Sequence, residues 1–264
     1  MKLSVDNLAV FTDGDSGNTA TIFVHGFPFD HFMWNEQVKA FSNDYYCVRY
    51  DIRGLGVSPA GDGQFSIEMF VDDLEEIINE LRLDRPILCG LSMGGYISLR
   101  AVERMENKFR ALIICDTKSA ADDNEGKIKR AAAIKQINSG EFDSFVESFV
   151  LNCFGEKFVK ENNAEYRKVV DRSKKNNPLG VKGCLLAMAG RTETTGYLSK
   201  IKLPTLVISG SEDRLTPPAV MEPIANKILN SEFVKIDGAG HMTPIENSQI
   251  VNKSIKNFLV KNKI

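Results

Sequence analysis

The 264-residue sequence lacks most of the features that would place it in a specialised class of protein. Charge of one sign is not in excess, since 33 basic residues are balanced by 35 acidic ones, and no basic stripe suggests nucleic-acid binding. No apolar run approaches the ~18 residues of a membrane span, and the N-terminus has no signal-peptide core. These absences predict a cytoplasmic protein without nucleic-acid or membrane partners, and they leave the oligomeric state open.

Cysteine and histidine are also scarce. The five cysteines are odd in number and have no metal-ligand spacing, so we expect buried free thiols in a reducing compartment. They are Cys47, Cys89, Cys115, Cys153 and Cys184. Only three histidines, His25, His31 and His241, are available as a catalytic base.

Six short apolar runs predict the strands of a mostly parallel sheet. They are rich in β-branched and aromatic residues and nearly continuous in hydrophobicity, which suits strands buried on both faces. They span residues 21–26, 45–51, 86–92, 110–116, 204–210 and 232–237. Apolar residues at helical spacing predict a helix over 66–83, with Ser66 as its N-cap, and a closing helix over 248–260.

The middle of the chain, from about residue 118 to 200, has no strand pattern. It carries helical stretches such as 141–154, where Phe142, Phe145 and Phe149 share a face. The sequence therefore predicts an α/β core of residues 1–117 and 201–264, with helices flanking the sheet, and a helical cap of residues 118–200.

A serine between two glycines follows the third strand run. Gly90-Leu91-Ser92-Met93-Gly94 fits the pattern G-x-S-x-G, and a helical run at 96–105 comes after it. This is the pattern of a nucleophile elbow, a sharp turn that presents a serine hydroxyl above the sheet. Only small residues fit two positions before and two after the serine. Ser92 is therefore the candidate nucleophile.

A serine nucleophile needs a base and an acid that orients it. His241 follows the last strand run and is the candidate base, because in α/β enzymes with a nucleophile elbow the base comes last in chain order, after the acid. Asp213 follows the strand run at 204–210 and is the candidate acid. Asp116, at the end of another strand, is a rival, and Asp237 is too close in sequence to His241 to be preferred.

Two backbone N–H groups are candidates for an oxyanion hole. One is that of Met93, directly after the nucleophile, and the other is that of Phe27, in the loop after the first strand run. His25, in the same loop, is expected to brace the loop rather than to catalyse.

These motifs together resemble the α/β-hydrolase superfamily from end to end. The matching stretches are HGFP (25–28), YDIRGLGVS (50–58), GLSMGG (90–95), GSEDRLTPP (210–218) and GAGHMTP (238–244). Within it, the chain looks most like the capped serine esterase and lactonase branch, which includes 3-oxoadipate enol-lactonases and carboxylesterases. The resemblance implies a triad of Ser92, Asp213 and His241 under a cap. Epoxide hydrolases and haloalkane dehalogenases share HGFP but carry an aspartate at the position of Ser92.

The sequence thus predicts a serine hydrolase of small-molecule carboxylic esters or lactones that needs no metal or organic cofactor. A carbon–carbon bond hydrolase or a hydroxynitrile lyase could use the same triad, and a ligand receptor could keep it. Aromatic residues at 27–34 and no evident arginine pair predict a preference for neutral, apolar acyl groups, although Arg53 and Arg191 cannot be placed from sequence.

Overall fold

An eight-stranded sheet runs through the computed structural model, which describes residues 1–264. In spatial order β1-β2-β4-β3-β5-β6-β7-β8, the strands β3 to β8 are parallel to one another, whereas β1 and β2 are antiparallel to their neighbours. The strands are β1 Lys2–Val5, β2 Leu8–Asp13, β3 Ala20–Val24, β4 Tyr46–Tyr50, β5 Ile87–Leu91, β6 Ala111–Cys115, β7 Thr205–Gly210 and β8 Ser231–Ile236.

All six predicted strands are confirmed as β3 to β8, and the fold class is the predicted one. Strands β3, β5, β6 and β7 are buried along their whole length, which explains their continuous hydrophobicity. The antiparallel strands β1 and β2 were not predicted. Asp6 and Asn7 join them with φ of 43° and 66°, the left-handed geometry of a two-residue hairpin.

Eleven α-helices accompany the sheet, and none has the length and hydrophobicity needed to cross a membrane. The predicted helix at 66–83 is confirmed as α2, where Ser66 caps the helix by accepting a hydrogen bond from the Met69 N–H at 3.2 Å. The helices outside residues 118–200 are α1 Asn35–Phe41, α2 Ile67–Glu80, α3 Met93–Met105, α9 Pro218–Lys227, α10 Thr243–Glu246 and α11 Ser248–Lys261.

Residues 118–200, called here the helical segment, lie between β6 and β7 and contain no strand, as predicted. The two ends of the segment meet where the Thr194 N–H donates to the Ser119 carbonyl at 3.0 Å. Its five α-helices are α4 Asn124–Asn138, α5 Phe142–Cys153, α6 Glu156–Glu161, α7 Asn163–Ser173 and α8 Pro178–Ala189. Its standing as a separate cap domain stays a prediction.

The helical segment shares its hydrophobic core with the sheet. One cluster of 71 buried apolar residues includes strand residues such as Ile113 together with Phe145 and Leu185 from the segment. A buried amide fastens the two parts, because Asn176 Nδ2 donates to the Pro28 carbonyl at 2.6 Å and its Oδ1 accepts from the Gly56 N–H at 2.8 Å. The segment is therefore packed as an integral layer over the loops that follow β3 and β4.

Candidate active site

Ser92 occupies the sharp turn between β5 and α3. Its φ of 54° and ψ of −114° lie outside the regions that side chains favour, which costs of order 1–3 kcal/mol. The flanking residues have no room for a side chain, since a Cβ would lie 2.4 Å from the Gly94 oxygen at Gly90, and 2.2 Å from the Val24 oxygen at Gly94. The predicted steric reason for both glycines is confirmed.

Asp213 and His241 are brought together in the loops after β7 and β8. The His241 Nδ1–H donates to Asp213 Oδ2 at 2.8 Å, and the two residues are 2% and 3% exposed, respectively. Thr216 joins the pair, because its hydroxyl donates to Asp213 Oδ2 at 2.6 Å and lies 3.2 Å from His241 Nδ1. With Nδ1 engaged as a donor, Nε2 is left as the basic nitrogen.

The environment of Asp213 keeps its carboxyl group ionised. Burial by itself would raise the pKa, but the charge and hydrogen bond of His241 and the hydrogen bonds from Thr216 lower the pKa of Asp213 to about 2. The other oxygen, Oδ1, accepts from the backbone N–H of Leu215 at 2.8 Å and of Thr216 at 3.0 Å. Asp213 therefore forms a local Asx turn and holds His241 at the same time.

The rival acids do not contact His241. Asp116 is fully buried after β6 and accepts hydrogen bonds from the Gly210 N–H and the Thr243 hydroxyl. Burial, and then the nearby Asp213 carboxylate, raise its pKa well above the usual range. Asp237 is exposed.

Ser92 lies at the same edge of the sheet as this pair. Its N–H donates to the Cys115 carbonyl at 3.0 Å, and Cys115 precedes Asp116, which contacts the His241 loop through Thr243. The Ser92 hydroxyl and His241 are not joined by a hydrogen bond in this structure. Catalytic hydrogen bonds of unliganded enzymes are often long and tighten only when substrate is present.

The two backbone N–H groups assigned to an oxyanion hole flank Ser92. A Cβ on Gly26 would lie 3.3 Å from the Ser92 Cβ, so the loop that carries Phe27 passes directly beside the serine. Phe27 is 2% exposed and its N–H makes no hydrogen bond within the protein. Met93 is the first residue of α3, where an N–H has no partner inside the helix. Both donors are therefore available to an anion.

The other two histidines brace the loop after β3. His25 is buried, donates from Nδ1 to the Gly26 carbonyl at 2.9 Å and accepts at Nε2 from the Ile52 N–H at 2.8 Å, as predicted for a brace. Burial lowers the pKa of His25, which favours the neutral ring that this bonding requires. His31 contacts Asp51 Oδ1 at 2.7 Å and stacks on Phe11.

The aromatic loop contributes less to the site than its composition predicts. Trp34 is fully buried and packs on Phe23 in the core. Phe32 is 42% exposed, and its ring lies under the Arg172 guanidinium. Phe27 alone among the four aromatics of this loop packs on Phe145 and Phe149 of α5, at centroid distances of 6.4 and 5.2 Å.

The two arginines that the sequence could not place are both engaged by carboxylates. Arg53 donates to Asp73 from Nε at 3.1 Å. Arg191 is buried and paired with Asp122 at 2.9 Å, and its guanidinium stacks over the Tyr96 ring at 4.2 Å. Neither guanidinium is free to hold a substrate carboxylate.

A large cleft lies away from this constellation. It has a volume of about 810 Å³ and opens between the segment 28–39 and helices α6 and α7, and none of Ser92, Asp213 and His241 lines it. No group of three or more His, Cys, Asp or Glu side chains is placed to hold a metal ion. The five cysteines are free and buried, as predicted.

The sequence did not predict three residues that hold His241 in place. Thr216 bridges the pair, Glu246 binds backbone N–H groups of the His241 loop, and the Cys153 carbonyl accepts from the His241 N–H at 2.8 Å. The Asp-x-x-Thr spacing of an Asx turn could have indicated Thr216. The contacts of Glu246 and Cys153 depend on tertiary structure, and no local pattern marks them.

Comparison with known proteins places this geometry in context. A family model described as alpha/beta hydrolase fold matches residues 20–248. The chain is 23% identical to 3-oxoadipate enol-lactonase 2 from Acinetobacter baylyi over 95% of this chain and 91% of the relative. It is 27% identical to a non-heme chloroperoxidase from Kitasatospora aureofaciens over 97% of this chain and 98% of the relative. A solved esterase from Thermogutta terrifontis, with malate bound, has a TM-score of 0.94 and 29% identity over 99% of each chain.

Proposed function

The chain belongs to the α/β-hydrolase family, and from that premise we propose that it is a serine hydrolase of carboxylic esters or lactones. The observation that carries the proposal is the buried Asp213–His241 pair at the sheet edge where Ser92 is held in a strained turn. Strain of this kind is found where a backbone presents a reactive group. The enol-lactonase and esterase among its relatives support the same reaction class.

In the proposed mechanism the Ser92 hydroxyl attacks the acyl carbonyl while His241 Nε2 takes its proton. Asp213 holds the ring in the tautomer with Nδ1–H and stabilises the imidazolium that forms. The N–H groups of Phe27 and Met93 bind the oxyanion of the tetrahedral intermediate. His241 then protonates the leaving alkoxide, which departs and leaves an acyl-enzyme on Ser92. A water that His241 deprotonates releases the acid and restores the serine.

The helical segment would act as a cap in this scheme. Its helix α5 packs Phe145 and Phe149 on Phe27, whose N–H is one of the proposed oxyanion donors. Acyl specificity would therefore depend on α5. The substrate is a small molecule, and the five free cysteines support a reducing, cytoplasmic location, which cell fractionation would test.

The experiment that tests this function combines a substitution with a covalent probe. Ser92→Ala should leave the fold intact and lower ester hydrolysis by on the order of 10⁴ or more, because triad members act as a unit. A serine-directed phosphonate should label the wild type on Ser92 alone. Ser254→Ala, a half-exposed serine on α11, is the matched control and should keep full activity and labelling. Substantial hydrolysis by Ser92→Ala would overturn the proposal.

Three other functions are compatible with the same residues, and a substrate screen combined with melting temperatures separates them. Turnover of a ring-cleavage diketone, with aryl esters left untouched, would indicate a carbon–carbon bond hydrolase, and cyanohydrin cleavage would indicate a hydroxynitrile lyase. A ligand that raises the melting temperature without turnover would indicate a receptor. Arg53 and Arg191 are both paired with carboxylates, which favours a neutral acyl group. The pairing does not decide between ester hydrolysis and the other two reactions, because they use the same triad.

A further inference from the structure

Glu246, the last residue of α10, has a carboxylate that binds three backbone N–H groups. Oε2 accepts from Gly155 at 2.8 Å and from Gly240 at 3.0 Å, and Oε1 accepts from Met242 at 3.0 Å. Gly240 and Met242 are the two neighbours of His241 in sequence, whereas Gly155 lies between α5 and α6, directly before α6. One carboxylate thus joins the His241 loop to the helical segment.

The other hydrogen bond between the His241 loop and the helical segment joins backbone to backbone. The His241 N–H donates to the Cys153 carbonyl at 2.8 Å. A Cβ on Gly240 would lie 2.5 Å from the Gly155 nitrogen, so the two strands of backbone are too close for any side chain between them. The His241 backbone is therefore held by two sets of contacts: its own N–H binds the Cys153 carbonyl, and the Glu246 carboxylate binds the N–H groups of its two neighbours.

The effect of burial on the pKa of Glu246 is larger than the opposing effect of its hydrogen bonds. Burial raises the pKa of the Glu246 carboxyl above its usual range, although the N–H groups of Gly240, Gly155 and Met242 act in the opposite direction. Burying a carboxylate costs free energy, and the hydrogen bonds from the three backbone N–H groups offset part of that cost.

We propose that Glu246 is a positioning residue, which sets the height and direction of the His241 ring by tying its loop to the turn at Cys153–Gly155 of the helical segment. The proposal rests on the proposed function, in which His241 Nε2 moves the proton of Ser92. It predicts that Glu246 affects kcat and leaves KM almost unchanged, because the residue acts on the base and touches no substrate.

The geometry gives a graded set of variants. Glu246→Gln keeps the shape but has one acceptor oxygen, so at least one backbone N–H would meet the amide NH₂ instead of an acceptor. Glu246→Ala removes all three contacts. We expect kcat to fall by about tenfold in the first variant and by on the order of a hundredfold in the second, since small misplacements of a catalytic group cost rates of this size.

Glu212→Gln is the matched control. Glu212 is exposed, and its side chain makes no hydrogen bond. It places a carboxylate oxygen 3.3 Å from the Cβ position of Gly155, where Glu246 places one at 3.0 Å. The Glu212→Gln substitution removes a negative charge beside the same glycine and leaves the three hydrogen bonds of Glu246 in place. Its kcat should equal that of the wild type, and an equal loss in Glu212→Gln and Glu246→Gln would overturn the proposal.

A second readout does not depend on turnover. The proton between His241 Nδ1 and Asp213 should give a low-field NMR resonance, and with three histidines in the chain it can be assigned by substitution. This resonance should broaden or disappear in Glu246→Gln and persist in Glu212→Gln, at temperatures where thermal unfolding shows both to be folded. Wild-type kcat with an unchanged resonance in Glu246→Gln would overturn the proposal. If the wild type hydrolyses no ester while the resonance changes as expected, the positioning role stands and the proposed function fails.

Discussion

Asp116 and Asp213 follow neighbouring strands of the sheet and are both almost fully buried, yet their surroundings shift their pKa in opposite directions. Asp213 has a histidine and a threonine hydroxyl as partners, and its pKa is lowered to about 2. Asp116 has one backbone N–H and one hydroxyl, and burial together with the charge of Asp213 raises its pKa. The partner, rather than the depth, decides which carboxyl group can orient a base.

The first prediction separates these two acids. Asp213→Asn should lower kcat by roughly 10⁴, because an amide nitrogen facing Nδ1 favours the wrong tautomer of His241. Asp116→Asn should have a mild effect, since its amide oxygen can still accept from the Gly210 N–H. Steady-state kinetics of both variants on one aryl ester provide the measurement. The reverse order of effects would assign the orienting role to Asp116.

The second prediction concerns stability in acid. The pKa of Asp213 is about 2 in the folded protein and about 3.9 in an unfolded chain. A depressed pKa stabilises the fold above the unfolded value, and this contribution, on the order of 2 kcal/mol, is lost as the pH falls from about 4 to about 2.

Urea unfolding of the wild type and Asp213→Asn across this range tests the second prediction. Asp122, whose pKa is also lowered to about 2 by Arg130 and Arg191, titrates in both proteins and cancels in the difference. The free-energy gap between the two proteins should narrow toward low pH. A gap that stays constant would contradict the assignment.

At the scale of single residues, the sequence indicated Ser92, His241 and Asp213 because each lies in a short motif at a strand end. It could not indicate that Asp213 forms an Asx turn and also binds His241. From sequence these are alternative roles, whereas in the structure each carboxylate oxygen fills one of them. The four aromatics of the loop at 27–34 also could not be sorted, because packing against the core decides which of them face the site.

At the scale of elements, the turn from β5 to α3 is specified by close approach. The third prediction is that Gly94→Ala lowers the free energy of unfolding by about 3 kcal/mol or more, because the new Cβ would lie 2.2 Å from the Val24 oxygen. Gly196→Ala is the control, since no atom lies within 4 Å of its Cβ position. Urea denaturation of both variants measures the difference. Equal stabilities would show that the turn can shift to admit a side chain.

The sequence predicted strands β3 to β8, each of which carries a readable apolar run. It missed β1 and also β2, although β2 has six residues, is mostly buried and lies inside the sheet. Strand β1 lies at the sheet edge and is half exposed, so its four residues show little hydrophobic pattern. The Asp6–Asn7 turn was the available signal for this hairpin, because both residues tolerate positive φ.

At the scale of the whole molecule, the helical segment packs over the loops that follow β3 and β4 and contacts Phe27, beside Ser92. The segment offers Phe145 and Phe149 toward Phe27, and the arginine that it buries, Arg191, is paired with Asp122. The surroundings of Phe27 are thus apolar, and the two arginines in question are neutralised.

The fourth prediction follows for substrate preference. For neutral p-nitrophenyl esters, kcat/KM should rise by up to about fourfold per methylene, the equivalent of about 0.8 kcal/mol. The rise should run from two to about four or six acyl carbons, and longer chains should be worse because they meet α5. An acidic lactone of equal size should be a poorer substrate. A strong preference for that lactone would overturn the apolar pocket and indicate an enol-lactonase.

The meeting of Ser119 with Thr194 has a consequence for how such a molecule can change over evolutionary time. Because the two ends of the segment lie side by side, it can be replaced by an insertion of another length without moving β6 or β7. The entropic cost of closing a longer loop is small, since it grows slowly with loop length. New substrates could be acquired by transplanting this module. Besides the shared core, the graft is constrained where it meets the His241 loop, since it must present a carbonyl where Cys153 has one and an N–H where Gly155 has one. We expect transplants that lack these two groups to fold and to bind their substrates, but to turn them over slowly.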